Sequence, residues 1–190
     1  VYTDKPDSET FLREWTSLVE SKSGERGIFN RVSARKQAAK NGRRDTSFDF
    51  GTNPCSEIIL RPHQFCNLTE VVVKDSDKDV DIERKIRLAT ILGTAQSTLT
   101  DFPYLRKTWR TNTEEERLLG VSLTGIMDNI HTNCNLVDMD KRLIKYKQVA
   151  INTNKEFAKQ FGIQESTAIT CVKPSGTVSE LSDSASGIKA

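Results

Sequence analysis

A thiol and a carboxylate lie two residues apart behind a proline in Asn53-Pro54-Cys55-Ser56-Glu57, and a second thiol, Cys66, follows eleven positions after the first. Proline fixes its own φ and pushes the preceding residue towards extended geometry, so the segment reads as a stiff loop that can aim a side chain. In extended backbone Cys55 and Glu57 share one side, where a small molecule meets a sulfur and a base at a single carbon. That pairing suits hydrogen abstraction coupled to proton transfer. Asn53 has the same parity, and its amide offers donor and acceptor to orient the base or a hydroxyl. A second thiol this close in sequence can return to the same site, which points to redox chemistry and not packing.

Other chemistries compete for the same residues. A free cysteine is often a small buried hydrophobe. Cys55, His63 and Cys66 could ligate a metal, but seven and two intervening residues fit no common zinc pattern and no fourth ligand is evident. A thiol-disulfide module is a further alternative, against which stands the absence of any Cys-x-x-Cys. Cys171, in Ala168-Ile169-Thr170-Cys171-Val172, reads as a buried strand residue, and Cys134 as a loop or helix-end thiol.

The second segment with chemical content is Lys173-Pro174-Ser175-Gly176-Thr177-Val178-Ser179. It follows the β-branched run 167–172 and reads as strand, turn and helix start. A glycine between two hydroxyl residues lets backbone N–H groups approach an anion, and a helix beginning there adds its positive end. The same string also makes an ordinary turn.

Taken together, the thiol loop and the Pro-Ser-Gly-Thr segment resemble ribonucleotide reductases, and the short step from Cys55 to Cys66 resembles their adenosylcobalamin-dependent (class II) branch. Asp183-Ser184-Ala185-Ser186-Gly187-Ile188 continues the family pattern, and Gly27-Ile28-Phe29-Asn30 resembles a strand-end element of the family that brings an Asn near the site. Where the family often has His, this chain has Lys189. The resemblance implies an α/β fold, about half of a ten-stranded α/β barrel with a central finger loop at about residues 51–68 and a phosphate loop at about 173–179, the whole of 1–190 being a fragment of one catalytic barrel domain. It implies that Cys55 carries a thiyl radical generated with adenosylcobalamin, that Glu57 is the general base on the ribose 3′-hydroxyl, and that Asn53 holds base and substrate in register. It implies further that Cys66 forms a redox-active disulfide with a cysteine upstream of this fragment. Ser175, Gly176, Thr177 and Ser179 would hold the substrate phosphates. The implied partners are a ribonucleotide, with triphosphate favoured over diphosphate, thioredoxin or a similar dithiol donor, and nucleotide effectors bound outside this chain. The large subunit of the di-iron class, which shares Asn-Pro-Cys-x-Glu but has a wider gap to the second cysteine, is the main competitor. A non-catalytic nucleotide-binding fragment is the alternative of another kind.

Composition agrees with these readings and narrows them. With 190 residues, 36% hydrophobic content and a net charge of +2, the chain suits one ordinary globular domain and is too balanced to imply nucleic-acid binding by charge. No apolar run reaches membrane-spanning length and no signal peptide opens the chain, so a cytoplasmic protein with no membrane partner is expected. The start at Val1 and the end at Ala190, just after the phosphate loop, read as marks of a fragment that would not turn over alone.

The elements that must position these residues follow from periodicity. Phe11, Trp15 and Leu18 predict an amphipathic helix over residues 8 to 20. The basic run from Arg31 to Arg44 reads as a solvated helix face, with contact to phosphates as its functional alternative. Residues 68–73 are a β-branched strand, ended by a solvated acidic turn at 74–79. A helix over 81 to 98 carries Ile82, Ile86, Leu88, Ala89, Ile91 and Leu92 on a broad apolar face and ends at Pro103. A third helix is predicted over 113 to 130, with Glu114, Glu115 and Glu116 in its first turn and Leu118, Val121, Gly125 and Ile126 inward. A fourth spans 138 to 161 with Leu143, Tyr146, Ala150, Phe157 and Phe161 as its stripe, stopped by Gly162.

Overall fold

The computed structural model describes residues 5–23, 27–40, 42–129, 132 and 138–187. Val1–Asn30 and Arg31–Ala190 form separate compact units, each described here by itself. In the first, α1 (Ser8–Ser21) is capped by Asp7, whose carboxylate accepts from the Thr10 N–H at 2.9 Å and hydroxyl at 2.7 Å. Those two bonds hold the Asp7 carboxyl below its ordinary range. The helix buries none of its residues; Phe11 and Trp15 stack on each other at 6.4 Å. Gly27-Ile28-Phe29-Asn30 is irregular and exposed.

The second unit is built on parallel strands. β3 (Asn67–Val72) and β4 (Leu119–Thr124) pair in parallel from Asn67↔Leu119 to Val72↔Thr124, and Thr170 bridges in parallel to the far side of β4 at Val121. Parallel neighbours need a crossover, and here it contains α3 (Asp79–Gln96) and α4 (Lys107–Glu116). One face of the strands is covered by α3 and α5 (Met139–Phe161). Val71, Val73, Leu119, Val121 and Ile169 meet Ile82, Ile86, Tyr146 and Ala150 in the main core. Burying side chains the size of Ile82 and Ile86 contributes about 1.5–3 kcal/mol each. A polar tie supplements this: Asn154 donates to the Thr94 and Ser166 hydroxyls, each at 3.0 Å, and accepts from the Ser166 N–H.

Three sequence expectations are corrected. Residues 113–130 are not a helix: α4 ends at Glu116, Arg117 turns left-handed at φ 42°, and β4 follows. In Leu119-Gly120-Val121-Ser122-Leu123-Thr124 apolar residues alternate with small or polar ones, a period of two that outweighs the helical spacing of Leu118, Val121 and Gly125. The three glutamates therefore close a helix instead of opening one. Gly125 ends the strand at φ 76°, where a Cβ would lie 2.2 Å from the Val73 carbonyl oxygen. On α3, Leu88 and Leu92 are exposed, as Leu143 and Phe161 are on α5, because the buried stripes are narrower and partly polar, with Thr90, Thr94, Thr153 and Asn154 inside. α3 stops at Gln96 with Ser97 as its cap, well before Pro103. The turn at 74–79, the span of α5 and its stop at Gly162 (φ 67°) agree with the sequence reading.

The third correction concerns the basic run. α2 (Arg31–Ala39) turns Ala34 and Ala38 inward against Phe50, but Arg44 is no solvated charge. Its guanidinium donates to both oxygens of Glu116, at 2.8 and 2.7 Å, and to the Ile59 carbonyl at 3.1 Å. Gln64 donates to the same carboxylate at 2.7 Å, and Arg61 lies 3.3 Å from it. Arg61 also covers the Phe48 ring at 3.9 Å and reaches Glu115 at 2.6 Å. With Glu116 1% exposed and both arginines nearly as buried, this is a buried ionic network.

Removing one partner from such a network leaves charge buried and uncompensated. Glu116→Gln is expected to destabilise the folded protein by about 3–5 kcal/mol in urea unfolding. A loss below about 1 kcal/mol, the scale of an exposed pair, would show that the network is not a structural anchor.

Candidate active site

The network pins a hairpin. β1 (Gly51–Thr52) and β2 (Ile59–Leu60) pair antiparallel, Gly51 with Leu60 and Thr52 with Ile59, and Arg44, Arg61 and Gln64 tie the β2 end to the last turn of α4. The hairpin tip is Asn53-Pro54-Cys55-Ser56-Glu57-Ile58. It is a turn closed by the Ser56 N–H donating to the Asn53 carbonyl at 2.9 Å, with Ser56 at φ 63°. Asn53 supplies the brace: its side-chain carbonyl accepts from the Ile58 N–H at 3.0 Å. Thr52 adds a hydroxyl donated to the Ile58 carbonyl at 3.0 Å.

The turn changes the directions expected of the two reactive groups. Extended backbone would have put Cys55 and Glu57 on one side; here Cys55 is exposed at the tip while the Glu57 side chain is 1% exposed. The difference follows from Ser56, whose left-handed φ reverses the chain between them. Neither carboxylate oxygen of Glu57 has a hydrogen-bond partner, and the Lys173 ammonium stands 3.5 Å from Oε1. A buried carboxylate without donors is costly unless something is to occupy it.

Cys66 enters directly before β3 and is half-buried. Cys66, just before β3, and Leu68 and Glu70 on it alternate onto the strand face opposite the helical core, and on β4 so do Gly120 and Ser122. A Cβ at Gly120 would come 2.5 Å from Leu68 Cδ2, 2.9 Å from Ile58 Cδ1 and 3.0 Å from Cys171 Sγ, so glycine there lets hairpin, β3 and the 169–173 segment close on one another. The ionisable groups gathered on this face act on each other. Burial, then the charge of Glu57, pushes the Cys66 thiol up. Burial pushes Cys171 up to about 12, helped by Glu57 and Cys66. Burial also raises the Glu70 carboxyl, Lys173 pulling against it and Glu57 adding to it. The upward shift disfavours the thiolate at both positions.

The Pro174-Ser175-Gly176-Thr177 turn leads into α6 (Gly176–Ser182), the helix start that the sequence reading expects there. Ser175 and Ser179 are buried, and their hydroxyls donate to the Lys173 and Gly176 carbonyls at 3.3 and 3.1 Å. Gly176 and Thr177 are exposed. The loop is backed by residues 184–187: the Gly187 N–H donates to the Pro174 carbonyl, and Asp128 accepts from the Ala185 N–H. Lys189 and Cys134 lie outside the described residues. A cavity of about 480 Å³ opens between α2, the hairpin and α5; Glu57 reaches its wall with Arg43, Lys147 and Lys155, while Cys55, Cys66 and residues 173–179 do not.

His63 packs edge-on against Trp109, and among the described residues no three His, Cys, Asp or Glu side chains converge as a metal site. No helix among the described residues is long and apolar enough to cross a membrane. Sequence reasoning missed three members of the cluster, Glu70, Cys171 and Lys173. The signal was present as the two-residue spacing from Cys66 to Glu70 through Leu68, and from Cys171 to Lys173.

No protein-family profile matches the chain. By sequence it is similar to the adenosylcobalamin-dependent ribonucleoside-triphosphate reductase of Lactobacillus delbrueckii subsp. bulgaricus, with 30% identity over 164 residues that cover 73% of this chain and 22% of that protein. The reductase of the same name from Levilactobacillus brevis is 26% identical over 201 residues, 87% of this chain and 26% of its own length. A probable adenosylcobalamin-dependent ribonucleoside-triphosphate reductase of Dictyostelium discoideum is 27% identical over 140 residues, 73% of this chain and 18% of its own. The fold is similar to the crystal structure of a B12-dependent (class II) ribonucleotide reductase, with TM-score 0.54 and 26% identity, covering 77% of this chain and 23% of that one. The chain thus spans about a fifth to a quarter of the length of these relatives.

The burial pattern sets an order of thiol reactivity. In the folded protein at pH 8, iodoacetamide is expected to alkylate Cys55 at least ~10-fold faster than Cys66 or Cys171, read by peptide mass spectrometry. Alkylation of Cys171 as fast as Cys55 would contradict the burial described.

Proposed function

We propose that this chain, a homologue of the adenosylcobalamin-dependent (class II) ribonucleotide reductases, forms the finger-loop part of such an enzyme and reduces ribonucleoside triphosphates to 2′-deoxyribonucleotides when the rest of the catalytic domain is present. One observation carries the reading: an exposed cysteine at a braced hairpin tip, two residues from a buried carboxylate whose oxygens have no donor.

The residues fit the cofactor's chemistry. Cys55 is open to a group approaching from outside the hairpin, and it sits on backbone that Asn53 holds rigid. What adenosylcobalamin supplies when bound is a means of removing the hydrogen atom of a nearby thiol. The Cys55 thiyl then abstracts the ribose 3′-hydrogen. Glu57 accepts the proton of the 3′-hydroxyl, and the 2′-hydroxyl leaves as water with a proton from a thiol. Cys66 and a second cysteine outside this chain give up two electrons and two protons and end as a disulfide. Cys55 returns its hydrogen to the 3′-carbon and is again a thiyl. In sum one ribonucleotide and two thiols become one deoxyribonucleotide, water and one disulfide. Thioredoxin or a similar dithiol re-reduces that disulfide by exchange. Protonated Cys66 suits its part, because the step consumes hydrogen as well as electrons.

Phosphates would lie against the exposed backbone of Gly176 and Thr177. Ser175 and Ser179, turned to carbonyls in this conformation, shape the loop from within and would have to rotate to reach an anion themselves. Effector nucleotides would bind outside this chain.

The test uses the full-length protein that carries this chain, assayed with a ribonucleoside triphosphate, adenosylcobalamin and a dithiol and no second subunit. Cys55→Ser is expected to abolish deoxynucleotide formation while nucleotide affinity stays within about threefold. Glu57→Gln is expected to lower kcat by ~10²–10⁴-fold with KM little changed. Multi-turnover reduction by Cys55→Ser, or activity that needs an added di-metal subunit and ignores the cofactor, would overturn the reading.

A further inference from the structure

Glu57 has one ion-pair partner among the described residues, and only the carboxylate side of that pair is buried, the lysine side chain being 28% exposed. The Lys173 ammonium lies 3.5 Å from Glu57 Oε1 without making a hydrogen bond to it, so it offsets charge while leaving both oxygens free to accept. The backbone that carries this lysine is fixed from two directions. Its N–H donates to the hydroxyl of Ser122, a buried residue of β4, at 3.0 Å, and its carbonyl accepts from Ser175 at 3.3 Å. That carbonyl is also packed by Gly187, where a Cβ would fall only 2.1 Å away. A lysine stem is flexible, so holding both of its flanking peptide groups is what makes its reach reproducible. Glu70, on the same strand face and with one buried oxygen unpartnered, feels the same ammonium, so two carboxylates share one cation.

We propose that Lys173 is the positioning residue of Glu57: it holds the carboxylate in place at the hairpin, offsets its charge with both oxygens left open, and links it through the next residues to the loop at Ser175-Gly176-Thr177. This rests on the function proposed above and adds to it a residue that touches neither the reacting carbon nor the radical thiol. Because the lysine opens the 173–179 segment proposed to hold the phosphates, a triphosphate seated there would bear on the ammonium, and through it on the base, when a substrate is present.

The experiment is a double-mutant cycle in the full-length protein with Lys173→Met, Lys173→Arg, Glu57→Gln and the Lys173→Met/Glu57→Gln pair. Lys173→Met is expected to lower kcat ~10–100-fold with KM within about threefold, Lys173→Arg to recover most of the loss, and Lys173→Met to cost less than about threefold more once Glu57 is already Gln. Effects that multiply in the double variant, a rise in KM with kcat unchanged, or an arginine variant as slow as the methionine one would each overturn the proposal. A second arm reads the pair without turnover. The urea midpoint is expected to fall in Lys173→Met and to recover when Glu57→Gln is added, since the stranded buried charge is then gone. Midpoint losses that simply add would overturn the pairing even in an active enzyme, whereas a wild-type protein that reduces no ribonucleotide contradicts the function and leaves this arm to judge the pair.

Discussion

Two guanidiniums and a side-chain amide converge on the Glu116 carboxylate, 1% exposed at the last turn of α4, and the placement of the reactive hairpin depends on that convergence. Arg44 reaches it from beyond α2, and Arg61 and Gln64 from the chain just after β2. The hairpin itself has only two paired residues on each side, too little to define a direction in space. Its aim is therefore set by charge-assisted bonds at its base and by the Asn53 and Thr52 bonds at its tip. Such a network adds little net stability, but breaking it strands a buried charge, so the hairpin base resists other arrangements.

The strands divide the labour between their two faces. Val71, Val73, Leu119 and Val121 face the helices and supply the apolar burial that holds the unit together. Cys66, Glu70, Gly120 and Ser122 take the alternate positions, and Cys171, Lys173 and Glu57 complete that face. One sheet thus carries a dry core on one side and a set of interacting thiols and carboxylates on the other. Gly120 shows the cost of crowding them: any side chain there would collide with Leu68 and Ile58.

What the sequence made legible was local. The loop at Asn53-Pro54-Cys55-Ser56-Glu57, the strand after Cys66, α3, α5 with its glycine stop, and the turn into α6 are each written in a short run of residues. The helix expected at 113–130 failed because the helical spacing of Leu118, Val121 and Gly125 overlaps the period-two run of Leu119, Val121 and Leu123, which pairing with β3 makes a strand. The burial of Arg44 was missed because a charge run looks the same whether its partner is water or a glutamate 72 positions away. Likewise the shared side assigned to Cys55 and Glu57 assumed extended backbone, and Ser56 at φ 63° breaks that assumption. Lys173 could be seen as part of the loop but not as the neighbour of Glu57, since that contact joins segments 116 positions apart.

The central claim is that the exposed thiol at the hairpin tip carries the radical. It is tested most directly by rapid-freeze electron paramagnetic resonance of the full-length protein with adenosylcobalamin and a ribonucleoside triphosphate, prepared with ordinary cysteine and with cysteine deuterated at Cβ. The account predicts a sulfur-centred signal whose hyperfine pattern narrows on deuteration and which is absent from Cys55→Ser. A signal that persists unchanged in Cys55→Ser, or that is indifferent to cysteine deuteration, would contradict it.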